Sequence, residues 1–239
     1  MTFSAADIFD RAQRVMQDEG AVRWPLAELR EWLNDGLREV VLHKPTATST
    51  VAVLTLAAGS LQALPSQYLA FLSPVCNLAS ASETRVRGRA ITPVQREVLD
   101  ANSPSWHAMT PAAVVKHVIY DQQAPKSFYV YPPSNGAGFM EAIVAAQAPQ
   151  VARPANPENA AAAEYVAPIA IDDTYENAVL DFVLYRSFAK DAQYTGSAQR
   201  ATAHYQQFAN SLGIKVRVEK FTNPNVNQDG DTAVERKGA

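Results

Sequence analysis

The sequence predicts an α+β protein: an antiparallel helical bundle formed by N- and C-terminal helix pairs, with an inserted antiparallel β domain and an extended C-terminal arm. Three observations carry this reading. Apolar residues recur at three- and four-residue steps near the N-terminus and again from Asp173 to Gly213. Between those stretches the period drops to two, in short β-branched and aromatic runs separated by turn residues. After Gly213 the chain becomes polar, with Pro, Gly, Asn and Asp. An amphipathic helix pair cannot bury its stripe alone, so the two ends of the chain are expected to supply each other's partners. The boundaries follow as 1–46 for the N-terminal pair, 47–146 for the β domain, 147–171 for an extended linker, 172–213 for the C-terminal hairpin and 214–239 for the arm.

Taken in order, Ser4 followed by Asp7 has capping-box spacing and opens the first helix. Ile8, Ala12 and Val15 mark its line, and Gly20 ends it. Pro25 sits in the first turn of the second helix. Leu26, Leu29, Leu33, Leu37 and Val40 give the most regular stripe in the chain, and Pro45 stops the helix near His43. Gly36 lies inside it, either as a tolerated surface residue or as a point of close helix–helix approach. Val51, Val53 and Thr55 then alternate as in a strand, Gly59-Ser60 signals a turn, and Leu64-Pro65 ends a second arm. Ala70 to Leu78 is apolar enough for a central strand, provided Pro74 sits at an edge or a bulge. Pro93 to Leu99 suits a short helix or turn, and a loop through Trp106 follows. Ala113 to Tyr120, Phe128 to Tyr131 and Phe139 to Ala146 read as three strands of an antiparallel sheet, with Pro132 to Gly138 as a loop. Gln147 to Val166 is rich in Ala, Pro and Asn and is either flexible or laid over a neighbouring surface. Asp173 and Glu176 repeat the capping-box spacing before a stripe of Tyr175, Val179, Phe182, Arg186 and Ala189. Thr195-Gly196-Ser197 breaks it, and Ala201, Tyr205, Phe208 and Leu212 form the next stripe, stopped by Gly213. Lys215 to Lys220 alternates like a short strand.

Composition excludes several classes. No apolar run reaches the roughly 20 residues of a membrane span. The N-terminus mixes charges from the start and does not resemble a secretory signal. One cysteine, Cys76, rules out an internal disulfide, and its apolar neighbours make it a buried, inert thiol. The formal charge of −3 comes without a basic block, which argues against a dedicated DNA-binding domain.

Chemistry is sparse. His43, His107, His117 and His204 do not fall at metal-ligand spacing, and no metal or other cofactor is expected. No nucleophile elbow, phosphate loop or dinucleotide fingerprint is present, so no catalytic residue is assigned and an enzyme is not expected. Asp172-Asp173 could hold a cation, but helix capping accounts for it. Tyr120, Tyr129 and Tyr131 could stack bases, against a core or interface aromatic cluster. Arg85, Arg87 and Arg89 put three cations on one strand face, either solvated or in contact with a partner or DNA phosphate. The alternative to a structural role is therefore a small soluble nucleic-acid-binding or hydrolytic protein, using those arginines or His107, His117 and Asp121.

The order and spacing of several motifs point further. Arg23-Trp24, Glu28-Leu29, Trp32-Leu33-Asn34-Asp35-Gly36, Arg38-Glu39-Val40-Val41 and Lys44-Pro45 come first. Gln62-Ala63-Leu64-Pro65, Pro104-Ser105-Trp106 and the run from Pro125 to Pro133 follow. Tyr185 to Ala192, Arg200-Ala201, His204-Tyr205 and Phe208 complete the set. Across roughly residues 4 to 213 the chain resembles the head-to-tail adaptors of short-tailed double-stranded DNA phages, the connectors or tail tubular protein A-like proteins. The resemblance implies a non-enzymatic structural protein of the virion neck, assembled in the host cytoplasm. It implies a homo-oligomeric ring of twelve copies between the portal protein and a tail nozzle of the tail tubular protein B-like kind. Packaged double-stranded DNA would pass through the channel, and the ring would help retain and eject the genome. The polar segment after the last helix is the expected portal contact, with Lys215, Arg217, Lys220 and Phe221 as its candidate residues.

Overall fold

The structure, a computed structural model, describes residues 3–82, 84–121, 123–155, 162–191 and 196–222, with side chains as far as Gly213. In chain order the elements are α1 (Ala5–Met16), α2 (Leu26–His43), β1 (Ser49–Thr55), β2 (Ala58–Ala63), β3 (Tyr68–Leu78), β4 (Arg87–Ala90), β5 (Thr92–Pro93), α3 (Arg96–Asn102), β6 (His117–Tyr120), β7 (Ser127–Asn135), β8 (Phe139–Ala146), α4 (Glu176–Lys190) and α5 (Ser197–Thr222). Short 3-10 turns lie at Pro45–Thr48, Trp106–Ala108, Ala162–Tyr165 and Asp173–Tyr175. Two compact units result: Met1–Lys44 with Pro149–Ala239, and Pro45–Ala148.

In the helical unit, α4 contacts α1, α2 and α5. The capping box at the start of α1 is closed in both directions, Asp7 N to Ser4 Oγ at 3.3 Å and Ser4 N to Asp7 Oδ2 at 2.8 Å. Those bonds hold the Asp7 carboxyl below its ordinary pKa. The helix stops short of Gly20. Gln17 takes the left-handed conformation (φ 56°), and the N–H groups of Gln17 and Asp18 reach back to Arg14 O and Gln13 O. The Asp18 carboxylate then accepts from the N–H groups of Val22, Arg23 and Trp24 at 3.1, 3.0 and 2.9 Å, which fixes the entry into α2.

On α2, Leu29, Leu33, Leu37 and Val40 are fully buried. Gly36 marks close approach: a Cβ there would lie 3.0 Å from Phe182 Cδ1 of α4. The expected single stripe on α4 is corrected. Val179, Leu180, Phe182, Val183, Leu184 and Phe188 are all buried, while Arg186 and Ala189 are exposed. A helix with three helical neighbours is buried on most of its circumference, so no one stripe describes it. The expected cap is shifted by one residue and belongs to the 3-10 turn that leads into α4: Asp172 Oδ1 accepts from Thr174 N at 2.8 Å, and α4 itself starts after Tyr175. Polar links also join α4 to the N-terminal helices. Arg11 donates to Glu176 at 2.5 Å and to Asn177 at 2.8 Å, Lys190 donates to Glu28 at 2.6 Å, and Arg23 pairs with Asp191. Trp24 Nε1 donates to Ser187 O at 3.2 Å.

The segment after β8 lies over α2. Asn34 is buried and bonds Val151 through both its amide groups, Nδ2 to O at 3.2 Å and Oδ1 from N at 2.8 Å. On α5, Ala201, Phe208 and Leu212 are buried, but Tyr205 is exposed beside Tyr185. Gly213 does not stop this helix, and the strand expected over 215–220 is overturned, because α5 runs on to Thr222. An isolated strand must find a ladder partner, whereas a helix already nucleated satisfies each added backbone group internally.

The second unit is a two-layer β structure. One sheet has strand order β1-β8-β3-β4 and is antiparallel; the other has order β2-β7-β6-β5, with β5 and β6 parallel. They share a core that includes Leu54, Phe71, Val118, Phe128, Val130 and Met140. Three expectations are corrected here. β7 continues through the cis Tyr131–Pro132 bond to Asn135, and β7 and β8 belong to different sheets. Both strands have an apolar face, and placing them in opposite layers lets those faces meet in one core. β1 and β2 are likewise split between the sheets; Gly59 (φ 107°) lies inside β2, next to a register shift, and is not a hairpin turn. On β1 the inward residues are Ala52 and Leu54, while Val51 is exposed. Pro74 stands beside a register shift in β3, as the sequence required of it.

Candidate functional site

A buried carboxylate, Glu141, lies on β8. Met140, Ala142 and Val144 point into the core, which turns Glu141 to the opposite face of the sheet, between Val53 of β1 and Cys76 of β3. Its side chain is only 2% exposed. Arg85 Nη1 donates to Oε1 at 3.0 Å. Arg87 donates through Nε to Oε2 at 2.9 Å and through Nη2 to Oε1 at 3.2 Å. Arg85 also reaches Val51 O at 3.3 Å. The hydrogen bond from Arg87, joined by those from Arg85, holds the Glu141 carboxyl below the ordinary carboxylate range against the opposing effect of burial. The Cys76 thiol, 3.7 Å from Oε2, is pushed up by burial first and by the neighbouring carboxylate second. A thiol so placed is a poor nucleophile.

Of the three arginines proposed as a cation row, Arg85 and Arg87 thus spend donors on Glu141. Arg89 is exposed and makes no ion pair among the described residues; its backbone oxygen accepts from buried Asn77 Nδ2 at 2.9 Å. Asn77 also exchanges two bonds of 2.8 Å with the backbone of Val115, tying β3 to the segment before β6.

The far face of the other sheet holds aromatics. Trp106 is buried against Tyr129 and Tyr131, and Leu99 and Ile119 complete that cluster. Trp106 Nε1 donates to Asp100 Oδ1 at 2.8 Å, and this bond lowers the Asp100 pKa. His107 stacks on Trp106 and shares a 2.8 Å bond with Ser60 Oγ. His117 stacks on Tyr131 and meets Thr92 Oγ1 at 2.7 Å; burial first, then Arg89 and Lys116, lower its pKa. Asp121 instead caps a turn through Gln123 N at 2.9 Å. The structure therefore gives His107, His117 and Asp121 separate partners. Tyr129 and Tyr131 join the aromatic cluster, while Tyr120 packs on Phe71. Among the described residues no group of three or more His, Cys, Asp or Glu side chains could hold a metal, and no helix is long and apolar enough to cross a membrane.

In the helical unit, His204 bonds Asp181 at 2.9 Å, and a cleft of about 420 Å³ is lined by Val15, Met16, Gln17, Phe188, Arg200 and His204. The candidate portal contacts Lys215, Arg217, Lys220 and Phe221 have their backbone in the last turns of α5; their side chains, and residues 223–239, lie outside the described residues. Glu141, Asn77 and Asp18 were not singled out in the sequence, and Asn34 stood there only as a member of the Trp32–Gly36 motif. The usable signal for Glu141 was one acid at a period-two position of an otherwise apolar run, Phe139-Met140-Glu141-Ala142-Ile143-Val144.

The comparison with known families gives the class: this is a phage structural adaptor. Residues 1–228 match the sequence model of the SU10 adaptor protein family, and the chain belongs to that family. No curated protein matches it.

Proposed function

We propose that this adaptor sits in the neck of the virion as a ring, with twelve copies as the expected number, between the portal protein and the tail nozzle. Its subunits are in the host cytoplasm during assembly and in the virion neck afterwards. Double-stranded DNA passes through the ring, which helps retain the genome and later releases it. The observation that carries this reading is the adaptor-family match along residues 1–228. The charge distribution supports it: a formal charge of −3 without a basic block suits a channel through which phosphates must slide. The likeness to the tail tubular protein A-like connectors of short-tailed phages supports the ring and its nozzle partner.

The portal contact is assigned to the chain after Gly213, with Lys215, Arg217, Lys220 and Phe221 as its leading residues. Light scattering of the purified chain, alone and with portal protein, tests the ring; a particle of single-chain mass in both samples overturns it. Removal of residues 214–239 should abolish capture by the portal, and undiminished capture would move the contact elsewhere.

A further inference from the structure

The helical unit exposes two unlike surfaces whose charges and spacing match. The first is the outer face of α2. At about 100° per residue, Glu31, Asp35, Arg38, Glu39 and Leu42 fall within one arc, opposite the buried Leu29, Leu33, Leu37 and Val40. Leu42 is 71% exposed and sits among the three acids. The acids are held only within their own helix. Asp35 accepts from Arg38 at 2.8 Å, Glu39 lies 3.5 Å from His43, and Glu31 lies 3.4 Å from Arg30. Exposed ion pairs of this kind contribute little, so a base from outside can replace the partner.

The second surface is the cleft where the ends of α1 and α4 meet the start of α5. Two bases lie on the Phe188 ring there. Arg200 Cζ is 5.7 Å from the ring centroid, and the His204 ring stacks at 5.6 Å, 13° from parallel. Arg200 is exposed and makes no ion pair among the described residues. His204 turns Nδ1 to Asp181 Oδ1 at 2.9 Å, which leaves Nε2 for another partner. Val15 and Met16 add apolar wall. Two nitrogen bases beside apolar surface suit a carboxylate that arrives with an aliphatic neighbour.

We propose that the acidic face of α2 seats in this cleft on a second copy, so that each subunit gives one surface and receives the other. This rests on the ring reading above. Asp35 and Glu39 are one turn apart on α2, and Arg200 and His204 are one turn apart on α5, so two acids meet two bases at one helix crossing. Leu42, a turn beyond Glu39, supplies the apolar group for Val15 and Met16. Charge selects the pairing: α2 against α2 sets acid on acid, and cleft against cleft sets Arg200 on Arg200. The two surfaces share no residue, so the contact is head-to-tail, as a ring requires.

Two full-length variants test this, one carrying Asp35→Lys with Glu39→Lys and the other Arg200→Glu, each assembled with portal protein and sized by light scattering. Both should keep the circular dichroism of the parent. Each alone should lower the assembled fraction about tenfold or more, because like charges then meet. Mixed in equal amounts, the two should recover most of the assembly, because the reversed surfaces complement each other as the native ones do. Variants that assemble like the parent sink the inference. So does a mixture no better than its parts, which would give the lost contact to another neck protein. Either result leaves the proposed function standing. A restored particle of only two chains would overturn the head-to-tail contact in favour of a two-fold one. A parent chain that stays at single-chain mass with portal present removes both the inference and the ring.

Discussion

The two sheets of the β unit share one core but finish their far faces by different means. Behind β6 and β7 the chain supplies its own cover: α3 and the Trp106 turn bury Leu99, Trp106 and Ile119 against Tyr129 and Tyr131. Behind β8 the cover is two arginine side chains folded over a single buried glutamate. The first face is closed by apolar area, which is worth most when water is excluded completely. The second is closed by charge-assisted hydrogen bonds between one buried acid and two partly exposed bases, which gain less in stability and hold the β3–β4 connection in place.

The contrast can be broken from either side, and the expected effects fall in order. Trp106→Ala should cost the most, about 3–5 kcal/mol, because it opens a cavity in the aromatic cover and frees Asp100; thermal or urea unfolding measures it, and a loss below about 1 kcal/mol would show that this face does not depend on its cover. Glu141→Gln should cost about 1–3 kcal/mol, since one carboxylate oxygen that accepts from the arginines becomes a donor. The same substitution sharpens the comparison through pH. The folded Glu141 carboxyl lies below its ordinary value, so its stabilisation is complete above the unfolded pKa of about 4.3 and is lost as pH falls through the folded value. The difference in melting temperature between parent and Glu141→Gln should therefore be largest near neutrality and shrink below about pH 4, whereas Trp106→Ala should show no such narrowing. Arg87→Ala should lower the melting temperature least, because Arg87 is mostly exposed and Arg85 remains on Glu141.

What could be read in advance divides along the same line. Ser4 with Asp7, the α2 leucines and the arrest near His43 were legible because caps, periodicity and proline act within a few residues of themselves. The burial of Gly36 was an even choice in the sequence, and only the Phe182 ring settled it. Arg85, Arg87 and Arg89 were visible as a row, but the acid that engages two of them lies more than fifty residues along the chain. Phe139 to Ala146 was placed as a strand to the residue, yet its partners were misassigned, since strand pairing is decided by which apolar faces can share a core. The α5 extension past Gly213 ran against a local stop signal, because glycine in a helix costs only about 1 kcal/mol.

The sequence by itself determined where α1 and α2 begin, that both ends of the chain are helical, and that the middle is β-structured. It also carried the family likeness, because motif order along a chain survives without any knowledge of contacts. Tertiary structure alone decided which strands share a sheet, which helix is wrapped by the others, and that Glu141 gathers two arginines. Those outcomes depend on surfaces brought together from distant parts of the chain, and burial and pairing energies exist only once the surfaces meet.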